Sequence, residues 1–202
     1  LKKKLKKKIL FSSVVPNIYK KINKFLISKN FQTFEIKSLP LQKILKIKVD
    51  NYKQLGSDRI ANAISAYNLY RTDCLIVDFG TATTFDIVKK PGLYEGGVIA
   101  PGIKLSILNL NRSTASLPTF KLKLNSKVYG KNTREALNAG FLWGYQGLIV
   151  NIIKKIISKF KTKFKIILTG GYSDIFSKFI NKNPTIDKHI TIKGVMFIYR
   201  NL

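Results

Sequence analysis

Cysteine, histidine, methionine and tryptophan each occur once in this chain of 202 residues. A lone Cys74 cannot close an internal disulfide, and its place in an apolar run reads as small core packing. The single His189 lies in a polar tail segment, which excludes a histidine-based triad and a His/Cys metal cluster. Arginine is scarce too: only positions 59, 71, 112, 134 and 200 carry it, among 37 basic residues. With 10 acidic residues the formal net charge is +27, which by itself suits phosphate neutralisation and counterion release. Yet the excess is lysine, travelling with abundant Ile, Asn, Phe and Tyr, all specified by AT-rich codons. The side chain that reads phosphate or guanine through paired bonds is the one in short supply. Solvated lysine faces are therefore expected, rather than a nucleic-acid surface.

Long apolar runs are lacking as well. The most apolar stretch, "GFLWGYQGLIVNII" at 140–153, is interrupted by Gln146 and Asn151 and reads as too short to cross a bilayer. The opening "LKKKLKKKIL" has the basic part of a signal peptide, but no long apolar region or small-residue cleavage site follows it. A cytoplasmic protein without a membrane partner is expected.

What is present is enough to fold. At 45% hydrophobic and 11% aromatic residues the chain can bury a real core. Residues 9–15 read as a short strand ending at Pro16, and "NIYKKINKFLISK" has helical spacing at Ile18, Ile22, Phe25 and Leu26. A second helix starts after Gly56 and Ser57, with Ile60, Ala63, Ile64 and Tyr67 on one face. Strands at 74–79 and 83–88 flank a tight Gly/Thr turn, and "YEGGVIAPG" reads as strand then glycine-bounded loop. A helix is expected at 103–115, and Asn132 with Glu135 form a capping-box pattern before a helix running to about Phe160. Strand "FKIILTGG", a helix from about 174 and a mixed tail complete an α/β chain, with a domain boundary expected between Tyr70 and Arg71.

Several short pieces carry chemistry. In "LIVDFGTATTFDIV" Gly80 permits close backbone approach and Thr81, Thr83 and Thr84 offer hydroxyls and N–H groups, which suits phosphate oxygens; Asp78 beside it could hold a cation. Taken alone, the same stretch is an ordinary hairpin turn. In "GSDR" Asp58 either caps the first helical turn or serves as a base, and the guanidinium of Arg59 is suited to a carboxylate. The glycines of "LTGG" allow a flat ring or a ribose to approach, or only shape a strand-to-helix turn. Thr133 of "GKNTREA" either caps a helix or donates to an anion. Gly140, Gly144 and Gly147 share a helix face that permits close packing, inside one chain or across a dimer.

The order of these pieces is more specific than any of them. The series "SSVVP", "GSDR", "DFGTATTFD", "YEGGVIAPG", "LP", "GKNTREALNAGFLWGYQGLI" and "TGG" resembles the type III pantothenate kinases of bacteria across essentially the whole chain. The resemblance implies a ribonuclease-H-like fold of the actin and sugar-kinase kind, in two domains with ATP between them, here 1–70 and 71–202, and a homodimer. It implies phosphorylation of pantothenate to 4'-phosphopantothenate, the first step toward coenzyme A, with ATP, magnesium and potassium or ammonium. By motif, Asp58 resembles the general base, and Gly56, Ser57, Arg59 and Thr133 the pantothenate contacts, Thr133 acting from the partner subunit. Thr81 resembles a phosphate contact, Gly170 and Gly171 the adenosine site, and Asp78 the ligand of the monovalent cation.

Two departures shape the expectation. The family places Tyr before this motif where the chain has Val49, and Pro where it has Tyr52. The family's opening strand and Asp-x-Gly-Asn-Thr phosphate turn do not occur, and the chain begins with Leu1 rather than Met. The N-terminal domain is thus expected to be incomplete, its beginning lost, and the chain as it stands to have little or no activity. A non-catalytic relative that keeps the fold is the alternative class, and a basic nucleic-acid-binding protein the third.

Overall fold

A computed structural model describes residues 7–13, 15–124 and 127–202. The opening lysine run at 1–6, Val14 of "SSVVP", and Asn125 with Ser126 lie outside the described residues. In chain order the elements are β1 (Lys8–Phe11), α1 (Pro16–Ser28), β2 (Gln32–Glu35), β3 (Lys46–Ile47) and α2 (Ser57–Tyr70). Then come β4 (Cys74–Phe79), β5 (Ala82–Lys89), β6 (Leu93–Pro101), α3 (Ile103–Arg112) and α4 (Thr133–Phe160). The chain ends with β7 (Lys165–Gly170), α5 (Ser173–Phe176), β8 (Thr185–Ile186) and α6 (Ile190–Arg200). The described residues group into two compact units. Unit one holds those up to Arg71 with Val88–Gly96 and His189–Leu202; unit two holds Thr72–Ile87 and Gly97–Lys188.

In unit one, β1 and β2 pair in parallel, Lys8 opposite Gln32 and Phe11 opposite Glu35, with α1 as the crossover. Pro16 takes the first helical position of α1, where its missing N–H costs nothing and its φ is preset. The core of this unit forms where α2 meets α6. Ile60, Ala61, Ala63, Ile64 and Ala66 of α2 are buried, and a Cβ at Gly194 of α6 would overlap the Ala61 carbonyl. Glycine is what lets the two backbones approach. Beside that crossing Thr191 donates to the Asn62 side chain at 2.7 Å, which satisfies a fully buried amide oxygen. The short β3 pairs in parallel with the start of β6, Ile47 opposite Tyr94.

Unit two is built on strands in the order β6, β5, β4, β7, β8. β4 and β7 run parallel, Cys74 opposite Lys165 and Phe79 opposite Gly170. Both are continuous apolar runs, and Leu75, Ile76, Val77, Ile167 and Leu168 have no exposure, as expected of strands covered on both faces. Phe79 stacks on Phe176 with ring centroids 5.5 Å apart, and Leu142, Ile149 and Ile153 of α4 pack into the same core.

The α/β class and the 74–88 hairpin are as expected. Four expectations shift. The strand expected at 9–15 ends at Phe11, because the Ser13 hydroxyl accepts the Val15 N–H at 3.3 Å and turns the chain locally. The helix expected to 115 ends at Arg112. The helix from about 174 is a single turn that continues as a 3₁₀ turn, Ser177–Phe179. The mixed tail contains α6, whose β-branched and glycine-bearing sequence hides a helix held by its packing on α2. The run at 140–153, expected to be too short for a bilayer, is part of the 28-residue α4. By length and composition alone that helix could cross one, but Leu142, Ile149, Ile153 and Ile156 are buried in unit two.

Candidate active site

Three glycine-bearing turns of unit two converge on residues 79–81. The first is the hairpin turn itself, where the Gly80 N–H donates to the Ala82 carbonyl at 3.1 Å. The second follows β7. Gly170 adopts φ +84, and a Cβ there would stand 2.6 Å from the Phe79 carbonyl oxygen, so no side chain fits. The Gly171 N–H then donates to that oxygen at 3.2 Å, and the Ser173 hydroxyl to the Gly170 carbonyl at 2.9 Å. The third is Gly102, just before α3, where a Cβ would overlap the Thr81 carbonyl and approach the Gly80 oxygen to 2.9 Å. Gly80, Thr81 and Gly171 remain exposed, so the Thr81 hydroxyl and glycine backbone form an open rim, in which the Gly80 and Gly171 N–H groups are held by the bonds just described. In the sequence Gly102 stands out only as a glycine directly before a helix, at the end of "YEGGVIAPG".

The turn is braced from behind. The Thr83 hydroxyl donates to the Pro101 carbonyl at 3.2 Å, and the Tyr145 hydroxyl of α4 lies 2.7 Å from Ser106 of α3. Asp78 is half-buried at the end of β4 and its Oδ1 faces the Gly80 position. Asp86, which no role was assigned in the sequence, is fully buried and accepts from the Thr84 hydroxyl at 3.3 Å. Among the described residues no group of three or more His, Cys, Asp or Glu side chains stands together to hold a metal ion. Near the Gly80 position the Asp78 carboxylate and the Ala82 carbonyl offer oxygen donors. That suits a hard, weakly demanding cation and not a thiol- or imidazole-seeking metal.

Thr133, also of unit two, is the exposed first residue of α4. The capping expected there is present with one change: Asn132 accepts the Glu135 N–H at 3.0 Å, while Glu135 turns back to the Lys131 N–H at 3.1 Å. Lys127, 2.7 Å from Glu135, is the main reason that this carboxyl sits below its ordinary range. Thr133 lies on the wall of an apolar groove of about 550 Å³ with Leu110, Gly140, Phe141 and Gly144. A Cβ at Gly140, Gly144 or Gly147 meets open space.

In unit one "GSDR" opens α2. Asp58 Oδ1 accepts the Arg59 N–H at 2.8 Å and folds back over Gly56, where a Cβ would overlap it. Asp58 and Arg59 are half-buried, whereas Ser57 is fully buried with its hydroxyl 3.3 Å from the Ser13 carbonyl. The Tyr52 hydroxyl, four residues before Gly56, is buried without a hydrogen-bond partner among the described residues, and burial raises its pKa.

The family described as type III pantothenate kinase matches residues 1–155. A type III pantothenate kinase of Pelagibacter ubique (strain HTCC1062) is 48% identical over 197 residues, covering 97% of this chain and 78% of that protein. One of Sulfurihydrogenibium sp. (strain YO3AOP1) is 38% identical over 191 residues, 95% of this chain and 76% of that protein. A crystal structure described as a Baf family transcriptional activator from Campylobacter jejuni superposes with TM-score 0.64 at 22% identity, covering 96% of this chain and 84% of that one. That likeness speaks for the fold, an α/β fold of the ribonuclease-H-like, actin-like ATPase kind. With the family match covering its order of turns from "GSDR" to the start of α4, the chain belongs to the type III pantothenate kinase family.

Proposed function

We propose that this protein transfers the γ-phosphoryl group of ATP to the primary hydroxyl of pantothenate, giving 4'-phosphopantothenate and ADP, the first step toward coenzyme A. The observation that carries the reading is the convergence of Gly80–Thr81, Gly102 and Gly170–Gly171 in a chain of this family. An exposed glycine rim that lets backbone and the Thr81 hydroxyl come close suits phosphate oxygens, and positioning with electrostatic stabilisation does most of the work in phosphoryl transfer.

Each unit then has its task. In unit two Thr81 donates to a phosphate oxygen, Gly170 and Gly171 leave room for the adenosine, and Asp78 holds a potassium or ammonium ion. A monovalent ion at Asp78, and magnesium brought with ATP, would supply positive charge that offsets the charge of the phosphates. In unit one Arg59 pairs with the pantothenate carboxylate, Gly56 and Ser57 shape that contact, and Asp58 takes the hydroxyl proton. The pantothenate oxygen forms its bond to the γ-phosphorus as the bond to the β,γ-bridging oxygen breaks.

A second copy of the chain fits the groove beside α4. Gly140 and Gly144 expose backbone with room for a neighbouring helix, and Thr133 at its end would complete the substrate site of the partner. In this reading the protein works in the cytoplasm, and its lysines are solvated surface with no nucleic-acid or membrane partner. The test uses the protein expressed from its gene with any in-frame codons preceding Leu1 retained. Potassium-dependent ADP release with pantothenate is expected, collapsing in Asp58→Asn. Turnover unchanged by that substitution refutes the base assignment, and no pantothenate-dependent release in the unaltered protein refutes the reaction.

A further inference from the structure

Glu35 lies outside every motif singled out in the sequence. It closes β2, is half-buried, and its Oε1 stands 3.4 Å from the Ser57 hydroxyl. That hydroxyl also lies 3.3 Å from the Ser13 carbonyl, so both of its neighbours are acceptors and its one proton has to be donated. Ser57 is the fully buried first residue of α2. The bonds of that first turn follow at once: the Arg59 N–H to Asp58 Oδ1 at 2.8 Å, and the Ile60 N–H to the Gly56 carbonyl at 3.1 Å.

The charge of Glu35 is felt nearby. It adds to burial in raising the phenols of Tyr19 on α1 and Tyr52 on the 3₁₀ turn Tyr52–Gln54. A carboxylate at the start of a helix is also favoured by the helix dipole. Glu35 therefore ties the end of a strand to the turn that carries Asp58, through one hydroxyl that has no exposure to water.

We propose that Glu35 is a positioning residue: its carboxylate fixes Ser57 and so holds the first turn of α2, and with it the Asp58 carboxylate, in the orientation proton removal needs. The inference rests on the assignment of Asp58 as the base. It is tested on the whole protein with Glu35→Ala, Glu35→Gln, Ser57→Ala and the double variant, by amide hydrogen exchange and by turnover. Losing one hydrogen bond to a charged acceptor should speed exchange at the Arg59 and Ile60 amides about ten-fold in Glu35→Ala. Glu35→Gln keeps an acceptor and stays close to the unaltered protein. Ser57→Ala, which also gives up the contact with the Ser13 carbonyl, loses at least as much as Glu35→Ala, and the double variant goes no further than Ser57→Ala, because Glu35 acts through that hydroxyl. With turnover measured alongside, kcat falls by about the same factor while the KM for ATP holds.

Unchanged exchange at Arg59 and Ile60 overturns the proposal. So do additive losses in the double variant, or faster exchange spread over β1, β2 and α1, which marks a general loosening. Should the unaltered protein fail to phosphorylate pantothenate while the exchange pattern holds, the reading of the reaction falls and the coupling of Glu35 to the Asp58 turn stands.

Discussion

Replacing Gly102 with alanine places a methyl group where the chain has no room for one. The added carbon would overlap the Thr81 carbonyl oxygen, with its carbonyl carbon at 2.5 Å and the Gly80 oxygen at 2.9 Å. Ordinary contacts between a methyl carbon and such atoms begin near 3.4 Å. The neighbours are backbone, so no rotamer change can relieve the clash, and the hairpin turn must move by about 1 Å. Gly102 itself has φ −76, which alanine adopts freely, so the whole effect comes from that contact. Overpacking of this kind costs about 1–3 kcal/mol, which lowers Tm by about 2–12 °C in a chain of this size. A shift of about 1 Å in a positioned group can cost about a hundred-fold in rate. The assay is paired: thermal melting, and ADP release against ATP concentration. Gly147→Ala is the control, since its methyl meets open space on α4 and should stabilise by up to about 1 kcal/mol through helix propensity. A Gly102→Ala protein with unchanged Tm and unchanged KM and kcat for ATP would refute the close approach and with it the phosphate turn.

The thiol of Cys74 is pushed up to about 12, first by burial and then by the charge of Asp73. It should resist alkylation at pH 8 in the folded protein and react once denaturant unfolds it. Because the folded value lies above the unfolded one, this thiol's contribution to stability is intact below about pH 9 and is lost as pH rises toward 12. A melting series at alkaline pH on the native protein and on Cys74→Ala separates that slope from the rest. Asn132→Ala removes the cap of α4 and should destabilise by about 1 kcal/mol, read in urea unfolding; no change in midpoint would mean that Glu135 alone secures that end.

Local patterns were readable where one segment settles its own structure. The apolar run at 74–77, the tight Gly/Thr turn and the Asn132/Glu135 pair each specify strand, hairpin and helix start with neighbours close in sequence. What escaped depends on distant partners. The α6 sequence "ITIKGVMFIYR" has β-branched residues and a glycine, so propensity argues against a helix, and only the seat of Gly194 on Ala61 explains it. Gly102 looked like one loop glycine among others because its reason lies at Thr81, across the fold from its own element. Glu35 carried no signal at all, since its tie to Ser57 spans 22 positions. The candidate residues themselves were legible as a series of motifs, while their surroundings required coordinates.

The crossing of α6 on α2 has a consequence for how the protein is made. A ribosome releases α2 more than a hundred residues before Gly194 exists to meet Ala61. Until then Ile60, Ala63 and Ile64 have no lasting cover from that side, while the strands of unit two can already pair among themselves. Unit one, first to be synthesised, is therefore last to be finished. A premature stop just after Lys188 would leave a complete unit two attached to a sticky, unfinished neighbour that quality control can recognise.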